Sequence, residues 1–188
     1  PDSERTMCTF LGTAGKINES DIDINAVKKS EVIFLEGYLW DEGDPKKAFD
    51  KAINGANKVA MSLSDKFCVD RHKKHFLELV KNKLDITFAN EDEISSLIDA
   101  KNFNEVIEFG KNIKKCLIIT RGAKGAVSII GDNVNYVGIE KNLKLVDLTG
   151  AGDLFAAGYL HGYLNNFTYE ESLKKGTEMA SKIIQQIG

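Results

Sequence analysis

Leu84-Asp85-Ile86-Thr87-Phe88-Ala89-Asn90-Glu91-Asp92-Glu93-Ile94-Ser95-Ser96-Leu97-Ile98 changes character at its middle. Leu84 to Ala89 is a short run of apolar and β-forming residues, as a buried strand requires, whereas Glu91 to Ile98 reads as a helix with an acidic first turn. The same strand-then-helix unit recurs on both sides. Upstream, Val32-Ile33-Phe34-Leu35 is continuously apolar, the pattern of a parallel strand covered on both faces, and Asp44-Pro45 opens a helix toward Asn57. Strand Val59 to Leu63 precedes a helix from about Asp70 to Lys81, striped by Phe76, Leu77, Leu79 and Val80. Downstream, Asn104 to Lys114 is helical and Cys116-Leu117-Ile118-Ile119-Thr120 is a further buried strand.

Gly125 to Ile130 and Asn133 to Gly138, joined by the turn dipeptide Gly131-Asp132, predict a hairpin at the sheet's edge. Asp153 to Leu164 and Tyr169 to Ile187 have helical periodicity, with Asn165-Asn166-Phe167-Thr168 as loop and cap. At the other end, Thr6 to Leu11 is strand-like, and Asn18-Glu19-Ser20-Asp21 starts a helix toward Lys29. The alternation predicts an α/β fold with a mostly parallel sheet and helices on both faces. Ligands in such sheets sit beyond the carboxyl ends of the strands.

The 188 residues fit one domain, and 43% hydrophobic with 28% charged residues is an ordinary globular composition. Twenty-five Lys and Arg against 28 Asp and Glu give a net charge of −3, without the basic footprint that nucleic-acid phosphates require. Cys8, Cys68 and Cys116 form no CxxC pair, which argues against a zinc site or disulfide framework and for a reducing compartment. No apolar run approaches the roughly 20 residues of a membrane span, and no signal-peptide pattern opens the chain, so a cytoplasmic protein is expected. Pro1-Asp2-Ser3-Glu4-Arg5, with no initiator methionine, leads the reading to expect a chain cut at its N-terminus.

Chemistry concentrates in Lys144-Leu145-Val146-Asp147-Leu148-Thr149-Gly150-Ala151-Gly152-Asp153-Leu154-Phe155-Ala156-Ala157-Gly158, read as a short strand, small residues and then a helix. Glycines let a ligand approach the backbone, and the first-turn N–H groups converge with the positive end of the helix dipole, so an anion should rest there. Phosphoryl transfer spreads negative charge over equatorial oxygens, which such a pocket stabilises. Asp153 stands where it could accept a proton from an attacking hydroxyl, or could simply cap the helix.

These residues resemble the C-terminal signature of the ribokinase or phosphofructokinase-B superfamily of sugar and nucleoside kinases. The resemblance implies a three-layer α/β/α ribokinase-like sandwich with a mostly parallel sheet and an edge hairpin. It also implies Asp153 as catalytic base, the Gly150, Ala151 and Gly152 amides as anion hole, and Asp147 with Thr149 near a monovalent-cation site, with K+ as the candidate ion. Leu148 departs from the residues usual at its position, which is not one expected to touch phosphate. Asn90-Glu91-Asp92-Glu93 is similar to the family's Asn-x-x-Glu motif, implying that Asn90 and Glu93 organise Mg2+ and phosphates through water; a capped acidic helix start is the plain alternative. Thr120-Arg121-Gly122-Ala123-Lys124-Gly125 resembles the nucleotide-facing loop, with Thr120, Gly122 and Gly125 carrying over, and its plain alternative is a hairpin loop.

Pro1 to Met7 resembles the stretch beside the family's lid, where Arg5 would approach substrate or phosphate. Ser64 to His72 is similar to a segment of adenosine-kinase-like bacterial members. Since family members are longer, the resemblance implies a single kinase domain over 1–188 lacking its N-terminal sugar-contacting part, most of the lid and a short C-terminal piece. The function implied is ATP-dependent transfer of the γ-phosphoryl group to an alcohol of a sugar or nucleoside, in a protein that could dimerise.

Two alternatives stay in view. A non-catalytic nucleotide-binding or scaffold protein would keep the fold without turnover, and a Rossmann dehydrogenase lacks a GxGxxG after any predicted strand. Gly12-Thr13-Ala14-Gly15-Lys16 is short of a P-loop, with Ile17 in place of the Mg2+-holding hydroxyl, and reads as a tight turn. His72 and His75 read as part of a solvated helix face and His161 as a core or interface histidine, while Tyr38 and Trp40 are candidates to line the cleft or to pack.

Overall fold

The computed structural model describes residues 8–187. Six strands form one sheet in chain order: β1 (Ile33–Glu36), β2 (Val59–Ser62), β3 (Ile86–Asn90), β4 (Cys116–Thr120), β5 (Ala126–Ile130) and β6 (Asn133–Val137). β1 to β4 are parallel, and β5 and β6 add on antiparallel as the edge hairpin. Four helices follow the parallel strands: α2 (Asp44–Gly55), α3 (Lys66–Asn82), α4 (Glu91–Ile98) and α5 (Phe103–Ile113), while α1 (Ile24–Lys29) precedes β1. Right-handed crossovers that always step in the same direction send the connecting helices to one face. The other face is covered by α6 (Ala151–Leu164) and α7 (Tyr169–Ile183).

The sheet therefore supports two cores, divided by the period-two alternation of its side chains. Met61, Leu117 and Ile119 point toward Phe49, Phe76 and Leu97 of the crossover helices. Their strand neighbours Ala60, Cys116 and Ile118 point the opposite way, toward Phe155, Tyr159 and Leu173 of α6 and α7. The result is the expected α/β/α sandwich.

Helix starts follow local chemistry. Asp65 caps α3 by accepting from the Cys68 amide at 2.7 Å, and reciprocal capping boxes begin α4 (Asn90 and Glu93) and α7 (Thr168 and Glu171). Because Asp65 caps, α3 begins at Lys66, four residues earlier than its apolar stripe suggests.

Four local expectations need correction. Cys8 to Leu11 carry no strand, and Thr6 and Met7 lie outside the described residues. The helix expected from Asn18 to Lys29 breaks into a short 3-10 turn at Glu19–Asp21 and α1, because Asp23 recaps the chain through the Asn25 and Ala26 amides (2.9 and 3.2 Å). No strand precedes Gly150 either. The Val146 and Asp147 amides instead donate to the Ile184 carbonyl at the end of α7 (2.8 and 3.3 Å). Finally, β1 is not covered on both faces: it is a terminal strand of the sheet and Phe34 is 38% exposed.

α6 and α7 approach so closely that side chains are excluded between them. A Cβ at Gly158 would stand 2.6 Å from the Lys175 carbonyl oxygen, and one at Gly176 would stand 2.8 Å from the Phe155 carbonyl oxygen. Both obstacles are backbone, so neither can yield cheaply. Gly158→Val should therefore lower stability by roughly 1–3 kcal/mol by forcing the helices apart. Urea unfolding of the two proteins measures this, and equal midpoints would mean that the helices repack without strain.

Candidate active site

The register of the parallel strands brings their carboxyl ends to one place. Glu36 pairs with Ser62 across β1 and β2, and Asn90 with Thr120 across β3 and β4. These four residues line one cleft of about 380 Å³, which is closed on its far side by Leu148 to Asp153. Asn90, Glu93, Thr120, Thr149, Gly150, Ala151, Gly152 and Asp153 all meet there. Asp147 does not line the cleft, but its Oδ1 accepts from the Thr149 amide at 2.9 Å and from the Thr149 hydroxyl at 2.7 Å, fixing the turn into α6.

α6 starts from Gly150, whose φ of +75° favours glycine. Its first helical bond runs from the Leu154 amide to the Gly150 carbonyl (2.9 Å). The Gly150, Gly152 and Asp153 amides have no hydrogen-bond partner among the described residues. The Ala151 amide differs from expectation, since it donates to the Leu148 carbonyl at 3.3 Å. The Asp153 side chain is exposed, in the first turn, beside these free donors. Gly152 has no steric reason to be glycine: its φ is not positive, and an added Cβ would meet nothing within 4 Å. Space that no protein atom fills, in front of unpaired amides at a positive helix end, suits an anion.

Two more carboxylates border the cleft. Glu36 was not singled out in the sequence, although its place directly after the apolar run Val32 to Leu35 marks it as a polar group at a strand's carboxyl end. Its Oε2 accepts from the Ser64 hydroxyl at 3.2 Å, and Ser64, at φ +72°, also accepts from the Tyr38 amide at 3.1 Å. Burial first, and then the charge of Asp153, push the Glu36 carboxyl above its ordinary pKa, partly offset by Ser64. Glu93 is only 5% exposed. Its two oxygens accept from the Asn90 amide and side-chain amide (2.8 and 2.7 Å), so the capped helix start is what its contacts form.

A second cavity of about 830 Å³ opens on the other side of the α6 terminus. Thr120, Leu148, Ala151, Gly152 and Phe155 border both spaces. The larger one is walled by Gly122 and Gly125 of the loop, by Ile139 and Leu145, and by Thr177 and Ser181 on α7. The loop's shape is obligatory at Gly125, where φ is +85° and a Cβ would lie 2.0 Å from the Val137 carbonyl oxygen. Thr177 is buried and its hydroxyl has no partner among the described residues, a polar atom left for an occupant of the cavity. Sequence reading missed Thr177 and Ser181, because small residues one helical turn apart look like packing positions.

Other expected residues lie elsewhere. Tyr38 lines the cleft, but Trp40 is buried against His72, His75 and Phe76 (ring centroids 4.5, 4.8 and 5.9 Å). His72 is thus no part of a solvated face, and burial lowers its pKa. His161 is exposed, with its ring edge-on to Phe167, rather than in the core. Arg5 lies outside the described residues. No helix among the described residues is long and apolar enough to cross a membrane, and no cluster of three His, Cys, Asp or Glu side chains among them could hold a metal ion alone.

Burial pushes the Glu93 carboxyl up to about 7, against the opposing Asn90 bond. The folded state thus holds this proton more tightly than the unfolded chain. The stabilisation is complete below about pH 4.5 and is lost as pH rises through about 7, with a total on the order of 3 kcal/mol. Denaturation across that window should show the fall in the native sequence and a flatter profile in Glu93→Gln. Matching profiles would remove Glu93 as its source.

Solved structures share this fold. Adenosine kinase from Sinorhizobium meliloti superposes with a TM-score of 0.95 at 38% identity, covering 100% of this chain and 59% of its own. A ribokinase II from E. coli in complex with ATP and Mg2+ shares the fold at 20% identity, with a TM-score of 0.82 over 93% of this chain and 58% of its own. Among curated relatives, 1-phosphofructokinase of Borreliella burgdorferi is 30% identical over 128 residues, 64% of this chain. Cytidine kinase of Thermococcus kodakarensis is 29% identical over 118 residues, 62% of this chain. The chain spans 42% of the length of each of these two relatives. Residues 1–188 match the model of the pfkB family carbohydrate kinases, and the chain belongs to that family.

Proposed function

We propose that this chain carries the catalytic centre of an ATP-dependent phosphotransferase that moves the γ-phosphoryl group to an alcohol of a sugar or nucleoside. The observation that carries the reading is the exposed Asp153 carboxylate beside the unpartnered Gly150, Gly152 and Asp153 amides, at the junction of two cavities. The base of the nucleotide fits the larger, apolar space, with the Thr177 hydroxyl as a polar contact. Its phosphates would then pass Gly152, where the missing Cβ leaves room. The acceptor fits the smaller cleft.

In this mechanism Asp153 accepts the proton of the attacking hydroxyl, and the amides stabilise the negative charge that grows on the transferred group. The amides are held by the start of α6, so little reorganisation of these donors accompanies the reaction. Asn90 and Glu93 would hold Mg2+ through water, and the ion would neutralise charge on phosphate oxygens. A site with so few direct protein ligands suits an ion coordinated chiefly by phosphate and water. Asp147 and Thr149 are the pair we assign to a monovalent cation such as K+. The aromatic faces of Phe34, Tyr38 and Phe88, together with the Glu36 carboxylate, favour an acceptor that combines a flat ring with hydroxyls, as nucleosides do.

In the full-length protein, Asp153→Asn should lower kcat at least about a hundredfold while nucleotide affinity stays nearly unchanged. ADP release across a panel of sugars and nucleosides measures it, and near-normal turnover would defeat the assignment. Gly152→Ala separates the site from the scaffold. A Cβ there meets no protein atom, so the melting temperature should hold or rise, as alanine favours helix, while turnover falls. Full activity in that variant would mean that no phosphate passes there.

A further inference from the structure

Asn90 and Thr120 are cross-strand partners, so the residues that follow them, Glu91 and Arg121, leave the sheet side by side. Their side chains meet in a two-pronged ion pair. Arg121 Nε donates to Glu91 Oε2 at 2.9 Å and Arg121 Nη2 to Glu91 Oε1 at 3.2 Å. The guanidinium carbon also lies 3.5 Å from the centroid of the Phe103 ring, on the first turn of α5. Lys124 brings a second cation to 3.7 Å from Glu91. The arginine side chain is only 15% exposed, so the pair is sheltered more than a surface ion pair. The hydrogen bond from Arg121 is the chief reason the Glu91 carboxyl is held below its usual pKa.

Neither Glu91, Arg121 nor Phe103 lines either cavity. What their contact joins are two segments that do. On one side is the Asn90–Glu93 cap, and on the other the Thr120–Gly125 turn. The turn is closed internally by Arg121 N to Gly125 O (2.8 Å), Lys124 N to Arg121 O (3.0 Å) and Gly125 N to Gly122 O (3.0 Å). It contains two glycines at positive φ, Gly122 and Gly125, and a Cβ at Gly122 would meet nothing within 4 Å. The three bonds close the turn on itself but leave its tip at Gly122 unwalled, so where that tip stands is set by what holds Arg121 from outside. Binding to an unheld turn loses affinity to the ordering of the loop.

We infer that the Glu91–Arg121 pair, laid against Phe103, is a positioning clamp that keeps the nucleotide-facing turn in its binding-ready shape and so sets nucleotide affinity; this rests on the kinase reading above. Arginine is needed because only its planar fork can meet both carboxylate oxygens while stacking on the ring. The clamp also ties the turn to the Asn90–Glu93 cap, so the walls of the two cavities keep one spacing.

Calorimetric titration of the full-length protein with a non-hydrolysable ATP analogue and Mg2+ tests this. Glu91→Gln and Arg121→Gln should each weaken binding about three- to tenfold, with Arg121→Lys between them and the native sequence. The double variant should be no weaker than the weaker single, because both changes remove one contact. The KM of the acceptor should change less than the analogue affinity, since neither Glu91 nor Arg121 itself lines that cleft. Native-like analogue affinity in the variants, with or without a lowered melting temperature, would reduce the pair to a structural ion pair. Additive losses would overturn the shared contact. If the unmodified protein fails to bind the analogue, the kinase reading itself falls, and the clamp with it.

Discussion

The site depends on how closely two helices can approach. Gly158 and Gly176 let the backbones of α6 and α7 touch, and the Val146 and Asp147 amides donate to the carbonyl of Ile184 at the end of α7. Together these contacts anchor both ends of the segment that carries Gly150 to Asp153. The Asp147–Thr149 turn then sets the direction in which α6 leaves it. Moving α7 outward by one methyl group would move the free amides away from the strand ends they face.

Polarity in the site follows from that placement. The sheet delivers Glu36, Asn90 and Thr120 to one edge, and α6 delivers an acid and a positive helix end to the opposite edge. Glu36 is half-buried at its strand end and shares the cleft with Asp153, and burial first and that neighbouring charge second make it hold its proton more tightly than an isolated carboxylate. The unpaired amides and the raised carboxyl lie on opposite sides of this cleft. Such features are expected where a charged ligand completes the structure.

Most of the architecture was legible in the sequence because it is local. β4 and α4 begin and end where the residues predict, since a continuous apolar run and an Asn-x-x-Glu cap are complete signals in themselves. The segment Lys144 to Leu148 misleads because its amide partner is a helix-terminal carbonyl roughly forty residues later, which no neighbouring residue announces. Trp40 and His72 mislead for a similar reason. A histidine on a lysine-rich helix looks solvated until a tryptophan from the β1–α2 connection folds over it, at a point where α3 is kinked. In the candidate site, small residues ahead of a helix and the resemblance to the family signature singled out Gly150 to Asp153, whereas Glu36 depends on the positive φ of Ser64 and Thr177 on the packing of α7.

The glycines of α6 fall into two kinds. Gly158 is held in place by the fold itself, whereas the empty volume before Gly152 matters only to something that enters it. Under the proposed function, a gene copy released from selection for catalysis should keep the first for as long as the polypeptide still folds, while the second and its neighbour Asp153 are free to drift. Comparing the two positions across descendants would then distinguish lineages that still perform chemistry from those that retain only the shape.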